Sequence, residues 1–138
     1  MGDARWRGIL DTHDDLAGRL VDEHGGRFVK STGDGVLATF DGPGRGIRFA
    51  SGFRQRLQPI DLAIRSGIHT GEVEVRGADV GGMAVHLAAR ILTEASPGEI
   101  LVSRTVKDLV VGSDLSFEDR GVHRLKGIDG DWQLLAVR

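Results

Sequence analysis

Lys30 and Asp34 stand four residues apart around a short glycine-flanked stretch, Ser31-Thr32-Gly33-Asp34-Gly35. A carboxylate at such a tip can reach a hard cation such as magnesium, which takes oxygen ligands and needs close backbone approach. Asp-Gly is equally what a tight turn demands for its own sake. Further along, His86 and Arg90 are four apart in an apolar-periodic stretch, which puts them on one helical face. A pair of that kind can grip phosphate or a developing negative charge, although Glu94, four residues on, offers Arg90 an ordinary surface ion pair. Asp79 precedes Gly81-Gly82 at the expected start of the same helix, where a negative side chain suits the dipole. Lys126, in Leu125-Lys126-Gly127, is an exposed cation available to an anion. Lysine is scarce here: Lys30, Lys107 and Lys126 stand against 15 arginines, so the position of each is informative.

Other chemistries find no support. There is no cysteine, which removes a disulfide scaffold, a thiolate metal site and a cysteine nucleophile. His13-Asp14-Asp15 has no partner histidines, and His13 falls in an apolar stripe, so it reads as a core or boundary histidine. Gly42-x-Gly44-x-Gly46 lacks the dinucleotide-binding spacing, and neither a phosphate-loop motif nor a Gly-x-Ser-x-Gly elbow occurs. A formal charge of −2 and a pI near 6.2 point to no nucleic-acid surface. No apolar run approaches the ~18 residues of a membrane span, and Met1-Gly2-Asp3-Ala4-Arg5-Trp6-Arg7 does not resemble a secretory signal. At 138 residues, 40% of them hydrophobic, the chain is expected to be one soluble, cytoplasmic domain.

The elements that must position these residues follow from periodicity and punctuation. Residues Asp3 to His24 predict an amphipathic helix with Trp6, Ile9, Leu10, His13, Leu16, Ala17, Leu20 and Val21 on one stripe, ended by Gly25-Gly26. Arg27 to Ser31 and Val36 to Phe40 predict a hairpin across the Asp34-Gly35 turn. Arg45 to Leu57 predicts a second helix, with Ile47, Ala50, Phe53 and Leu57 inward and Pro59 closing it. Strands are expected over Leu62–His69, Glu72–Val75, Glu99–Ser103, Leu115–Glu118, His123–Lys126 and Trp132–Val137. Helices are expected over Gly81–Ala95 and Arg104–Val110. Helices alternating with strands predict an α/β or α+β fold, an α/β sandwich with a one-sheet core. The strand pattern behind the first helix matches a βαββαβ unit whose first strand is missing.

Together the residues resemble a class III nucleotidyl cyclase catalytic domain of the bacterial adenylate cyclase type. The carriers are Val29-Lys30-Ser31-Thr32-Gly33-Asp34-Gly35, Ser66-Gly67-Ile68-His69-Thr70-Gly71-Glu72, and the run from Asp79 through Val80-Gly81-Gly82 to His86 and Arg90. Pro97-Gly98-Glu99-Ile100 and Leu125-Lys126-Gly127 complete the series. Five segments in order, over nearly the whole chain, make the likeness specific. It implies a ferredoxin-like βαββαβ core in which the first strand, absent here, is interior.

By that resemblance, Asp34 matches the second of two aspartates that hold a pair of divalent cations, Mg2+ or Mn2+. Lys30 and Asp79 match the pair that reads adenine, Arg90 the arginine that stabilises the transition-state phosphate, and Lys126 the lysine that binds the terminal phosphates. His86 stands where the family often has an asparagine and can still donate a hydrogen bond to ribose or phosphate. The first metal aspartate of the family precedes the first helix and has no counterpart in this chain. The implied reaction turns ATP into 3′,5′-cyclic AMP and pyrophosphate by in-line attack of the ribose 3′-hydroxyl. Its sites form across a homodimer, Asp34 coming from one subunit and Lys30, Asp79, His86 and Arg90 from the other. Regulation by, or fusion to, upstream domains of a longer protein is part of the same expectation. The competing reading is a non-catalytic cyclase-homology module that binds nucleotide or a partner domain.

Overall fold

The structure, a computed structural model, describes the backbone of residues 3–32 and 35–138, with side chains throughout these except at 3–7 and 9–11. Asp34, and the Trp6, Ile9 and Leu10 of the expected stripe, therefore lie outside the residues described at side-chain level. Helix α1 (Asp3–Glu23) leads into a hairpin of β1 (Arg27–Ser31) and β2 (Val36–Thr39), and then helix α2 (Pro43–Leu57). Leu16, Ala17 and Leu20 of α1 are buried against Phe53 and Leu57 of α2, with Phe28 of β1 and Val36 of β2 closing over the same cluster. His13 is buried in this stripe, its ring 4.9 Å from that of Phe53, as a core histidine should be.

The main sheet has four strands in the order β3 (Ser66–Ile68), β6 (Ile100–Ser103), β8 (Trp132–Val137), β7 (Phe117–His123). β3 runs parallel to β6, and the other two pairings are antiparallel. Alternation along the central strands feeds two cores. Ile100 and Val102 of β6 and Leu135 and Val137 of β8 pack with Ile47 and Ala50 of α2 and with Val106 of the short helix α4 (Arg104–Leu109). Leu101, Leu134 and Ala136 face the other way, onto Leu87, Ile91 and Ala95. Those last three belong to helix α3 (Met83–Glu94). Because helices cover both faces, all four residues of β6 are buried, which is why the stretch Ile100-Leu101-Val102 reads as a continuous apolar run.

The expected elements are recovered with four adjustments. Pairing along Leu62–His69 is confined to Ser66–Ile68; Leu62 and Ile64 alternate because they pack on the α1–α2 cluster, not because they sit in a ladder. The two strands expected around Leu115 and His123 are one bulged strand, β7. Asp79 does not start a helix. It lies in β5 (Asp79–Gly81), which pairs with β4 (Glu74–Arg76) as a separate two-stranded ribbon, and α3 begins only at Met83 after Gly82 at φ 104. Finally, α2 starts at Pro43, in the first turn where a missing N–H costs nothing. The β1–β2 hairpin shares no ladder with the main sheet, so β2 and β3 each carry an unpaired edge among the described residues.

Candidate functional site

Lys30 reaches its place through a defect in the hairpin. Phe28 pairs with Ala38, but Lys30 pairs with Leu37 and Ser31 with Val36, leaving Val29 as the extra residue of a β-bulge. Regular alternation would put Phe28 and Lys30 on one face, toward the α1–α2 core. The bulge puts Ser31 on the face of Phe28 and sends Lys30 to the other. There its Nζ donates to Oδ2 of Asp79 at 2.9 Å. Oδ1 of Asp79 accepts from the following Val80 N–H at 2.8 Å. The Lys30 hydrogen bond, and after it the Val80 N–H, hold the Asp79 carboxyl below the ordinary aspartate range. Both side chains are about half exposed, at 48% and 49%, so an incoming group can compete for them.

From β5 the chain passes within a few residues into α3, which carries His86 in its first turns and Arg90 one turn later. Glu94 does not hold Arg90: its carboxylate lies 3.6 Å from Nδ1 of His123 on β7. Among the described residues Arg90 has no carboxylate within 4.0 Å, which leaves its guanidinium for another anion. Lys126 sits in the turn after β7, where Gly127 adopts φ +78. A Cβ on Gly127 would lie 3.6 Å from Nε2 of His86, so this turn passes beside the imidazole. The structure thus joins Lys30 with Asp79, and His86 with the Lys126–Gly127 turn. The two groups are linked through the short β5–α3 connection.

Two further contacts carry no signal in the sequence. Ser31 donates to Oδ2 of Asp14 on α1 at 2.9 Å, and His69 at the end of β3 shares a 2.7 Å hydrogen bond with the buried Ser103 at the end of β6. Burial holds the His69 imidazole below the ordinary histidine range. Among the described residues no three His, Cys, Asp or Glu side chains gather into a possible metal site. No described helix is long and apolar enough to cross a membrane.

Residues 6–135 match the family described as Adenylate and Guanylate cyclase catalytic domain. The chain belongs to that family. Within it, this cyclase domain is 35% identical, over 135 aligned positions that take in 91% of the chain, to a Rhizobium meliloti protein named "Putative adenylate cyclase 3". It spans 22% of that protein's length, and 33% of a Mycobacterium tuberculosis relative to which it is 31% identical. An adenylate/guanylate cyclase/hydrolase from Silicibacter pomeroyi superposes with a TM-score of 0.90 at 26% identity, covering 99% of this chain and 86% of the other. The catalytic core of a rhodopsin-guanylyl cyclase with converted specificity, solved with ATPαS, superposes with a TM-score of 0.86 over 100% of this chain and 85% of its own. At 18% identity that likeness concerns the fold. The cyclase domain therefore has the α+β cyclase fold, and its structural neighbours include both adenylate and guanylate cyclases.

Proposed function

We propose that this cyclase domain is an adenylate cyclase, a phosphorus-oxygen lyase that converts ATP to 3′,5′-cyclic AMP and pyrophosphate at sites shared by two copies of the chain. The observation that carries the reading is the contact between Lys30 and Asp79. It sets one donor and one acceptor side by side, half exposed, on two different hairpins. Adenine presents the complementary pair, an N1 acceptor beside a 6-amino donor. Guanine presents the reverse, an N1–H donor beside the O6 acceptor. On ATP binding the two side chains exchange each other for the base edge. His86 then donates to ribose or phosphate, Lys126 holds the terminal phosphates, and Arg90 neutralises charge that grows on the α-phosphate during attack.

Divalent-ion chemistry, from two Mg2+ or Mn2+ ions with Asp34 as this chain's proposed ligand, supplies activation of the 3′-hydroxyl and charge neutralisation. Pairing of two copies is supported by apolar residues left in the open beside the site, Val75 on β4 at 66% exposure and Met83 at the start of α3 at 61%.

The test is cyclic AMP formation by the 138-residue chain with manganese and ATP over a range of protein concentrations. Activity that rises more steeply than linearly is the expected result. Nucleotide binding with no cyclic product at any concentration would make the chain a binding module instead, and a preference for GTP would make it a guanylate cyclase.

A further inference from the structure

The orientation of Lys30 is unusual in what supports it. The hairpin that carries it has two strands and, among the described residues, no ladder to the main sheet, and such a hairpin is marginally stable alone. Its register is fixed instead from the α1 side, by Phe28 and Val36 in the α1–α2 cluster and by one polar contact at the end of β1. There Ser31 Oγ donates to Oδ2 of Asp14 at 2.9 Å, while Oδ1 of the same carboxylate accepts from His13 Nδ1 at 3.1 Å. His13 is itself buried against Phe53, so the partly exposed Asp14 carboxylate is tethered to a side chain of the core. Ser31 lies next to Lys30 and, because of the bulge at Val29, on the opposite face of the strand. Were Ser31 free, the bulge could be relieved by a slip of one residue, which exchanges the faces of every side chain beyond it. Lys30 would then point at α1 rather than at Asp79.

We infer that Asp14 and Ser31 are positioning residues for base selection: their hydrogen bond pins the bulge that turns Lys30 toward Asp79. The inference rests on the adenine-reading role given above to Lys30 and Asp79. No direct contact of Asp14 or Ser31 with nucleotide is required.

The test measures the affinities of the full chain for the fluorescent nucleotides mant-ATP and mant-GTP, together with the thermal midpoint of each variant. Asp14→Ala and Ser31→Ala should each lower the ATP-over-GTP affinity ratio about three- to tenfold, the worth of one hydrogen bond. Asp14→Asn, which keeps an oxygen acceptor for Ser31, should restore the ratio. In a Lys30→Ala background, Asp14→Ala should change it no further. Should Asp14→Ala fail to fold, Ser31→Ala, at an exposed position, decides the matter alone. If Lys30→Ala shifts the ratio and Ser31→Ala does not, the clamp is wrong and the base-reading role survives. Equal weakening of both nucleotides by Asp14→Ala and Ser31→Ala would reduce the contact to a structural one and overturn the inference. If Lys30→Ala leaves the ratio unchanged, or the unaltered chain binds neither nucleotide, the base-reading role falls and the clamp with it.

Discussion

The Nζ of Lys30 and the Oδ2 of Asp79 lie 2.9 Å apart across 49 residues of sequence, joining two hairpins that share no backbone ladder among the described residues. The contact leaves a titration signature. Because Lys30 and then the Val80 N–H depress the Asp79 pKa, the pairing favours the folded chain above the ordinary aspartate value. That contribution is lost as the pH falls through the lower folded value. The window therefore lies in acid and not near neutrality. The Asp79 carboxyl carbon, followed by NMR, should titrate below a typical aspartate in the unaltered chain and shift upward in Lys30→Ala. An identical midpoint in both would mean that the pair does not form in solution.

Base choice gives a second expectation. Lys30→Glu together with Asp79→Cys removes the donor that meets adenine N1 and the acceptor that meets its amino group. The ATP-over-GTP ratio should fall by about tenfold, the scale of a mismatched hydrogen-bonding group. Competition between the two nucleotides reads this directly, and an unchanged ratio removes the purine-reading assignment.

Arg90 is expected to act late. Its neighbour Glu94 is turned toward His123, so Arg90→Ala breaks no ion pair among the described residues and should leave the thermal midpoint unchanged. Turnover should drop about 100-fold, the cost of removing one preorganised donor from a developing negative charge, with little change in nucleotide affinity. A matched loss of affinity would place Arg90 on the ground-state substrate instead.

Much of this arrangement is legible in the residues alone, for identifiable reasons. The helices α1, α2 and α3 have long apolar stripes bounded by glycine or proline, and the centre of the sheet, β6 and β8, consists of apolar runs. Those signals survive any tertiary context. Half of the β4–β5 ribbon is readable, since the strand expected over Glu72–Val75 overlaps β4, but β5 is hard to see because a three-residue strand ending in Gly81 has no period to detect. In β7 the polar run Glu118-Asp119-Arg120-Gly121 hides an edge strand, one side of which faces solvent. Alternation also misplaces Lys30, since no local rule announces a bulge at Val29. The pairing of Lys30 with Asp79 is accessible only through likeness to a family, because contact across that separation is a property of the fold.

Gly67 sets how closely α3, and with it His86 and Arg90, approaches the sheet. A Cβ at that position on β3 would meet the Leu92 nitrogen at 2.5 Å and the Ala88 carbonyl oxygen at 2.6 Å, both helix backbone atoms that cannot rotate away. Gly67→Ala must push α3 outward and should cost about 1–3 kcal/mol, as overpacking generally does. Urea unfolding measures that cost. Activity should fall further than the loss of folded protein accounts for, since the displaced helix carries two proposed site residues. A fully stable Gly67→Ala chain would show that the helix can shift without strain.

His69 directly follows β3 and gives the domain a predictable response to acid. Its Nδ1 is hydrogen-bonded to the Ser103 hydroxyl at 2.7 Å, and its ring stands edge-on to Trp132 at a centroid distance of 5.8 Å. Ser103 Oγ also accepts from the Val106 N–H and so caps α4. Burial lowers the His69 pKa, so the unfolded chain takes up a proton at a higher pH than the folded one. Stability contributed by the neutral ring is complete above the ordinary histidine value and is lost as the pH falls toward the lower folded value. Below both values this group adds no further loss. The thermal midpoint should drop across that interval, and only modestly, because the ring is partly shielded from solvent. His69→Gln keeps a hydrogen-bonding group near Ser103 but has no proton to gain, and should flatten the profile over the same interval. An unaltered pH profile in that variant would assign the acid sensitivity to another of the five histidines.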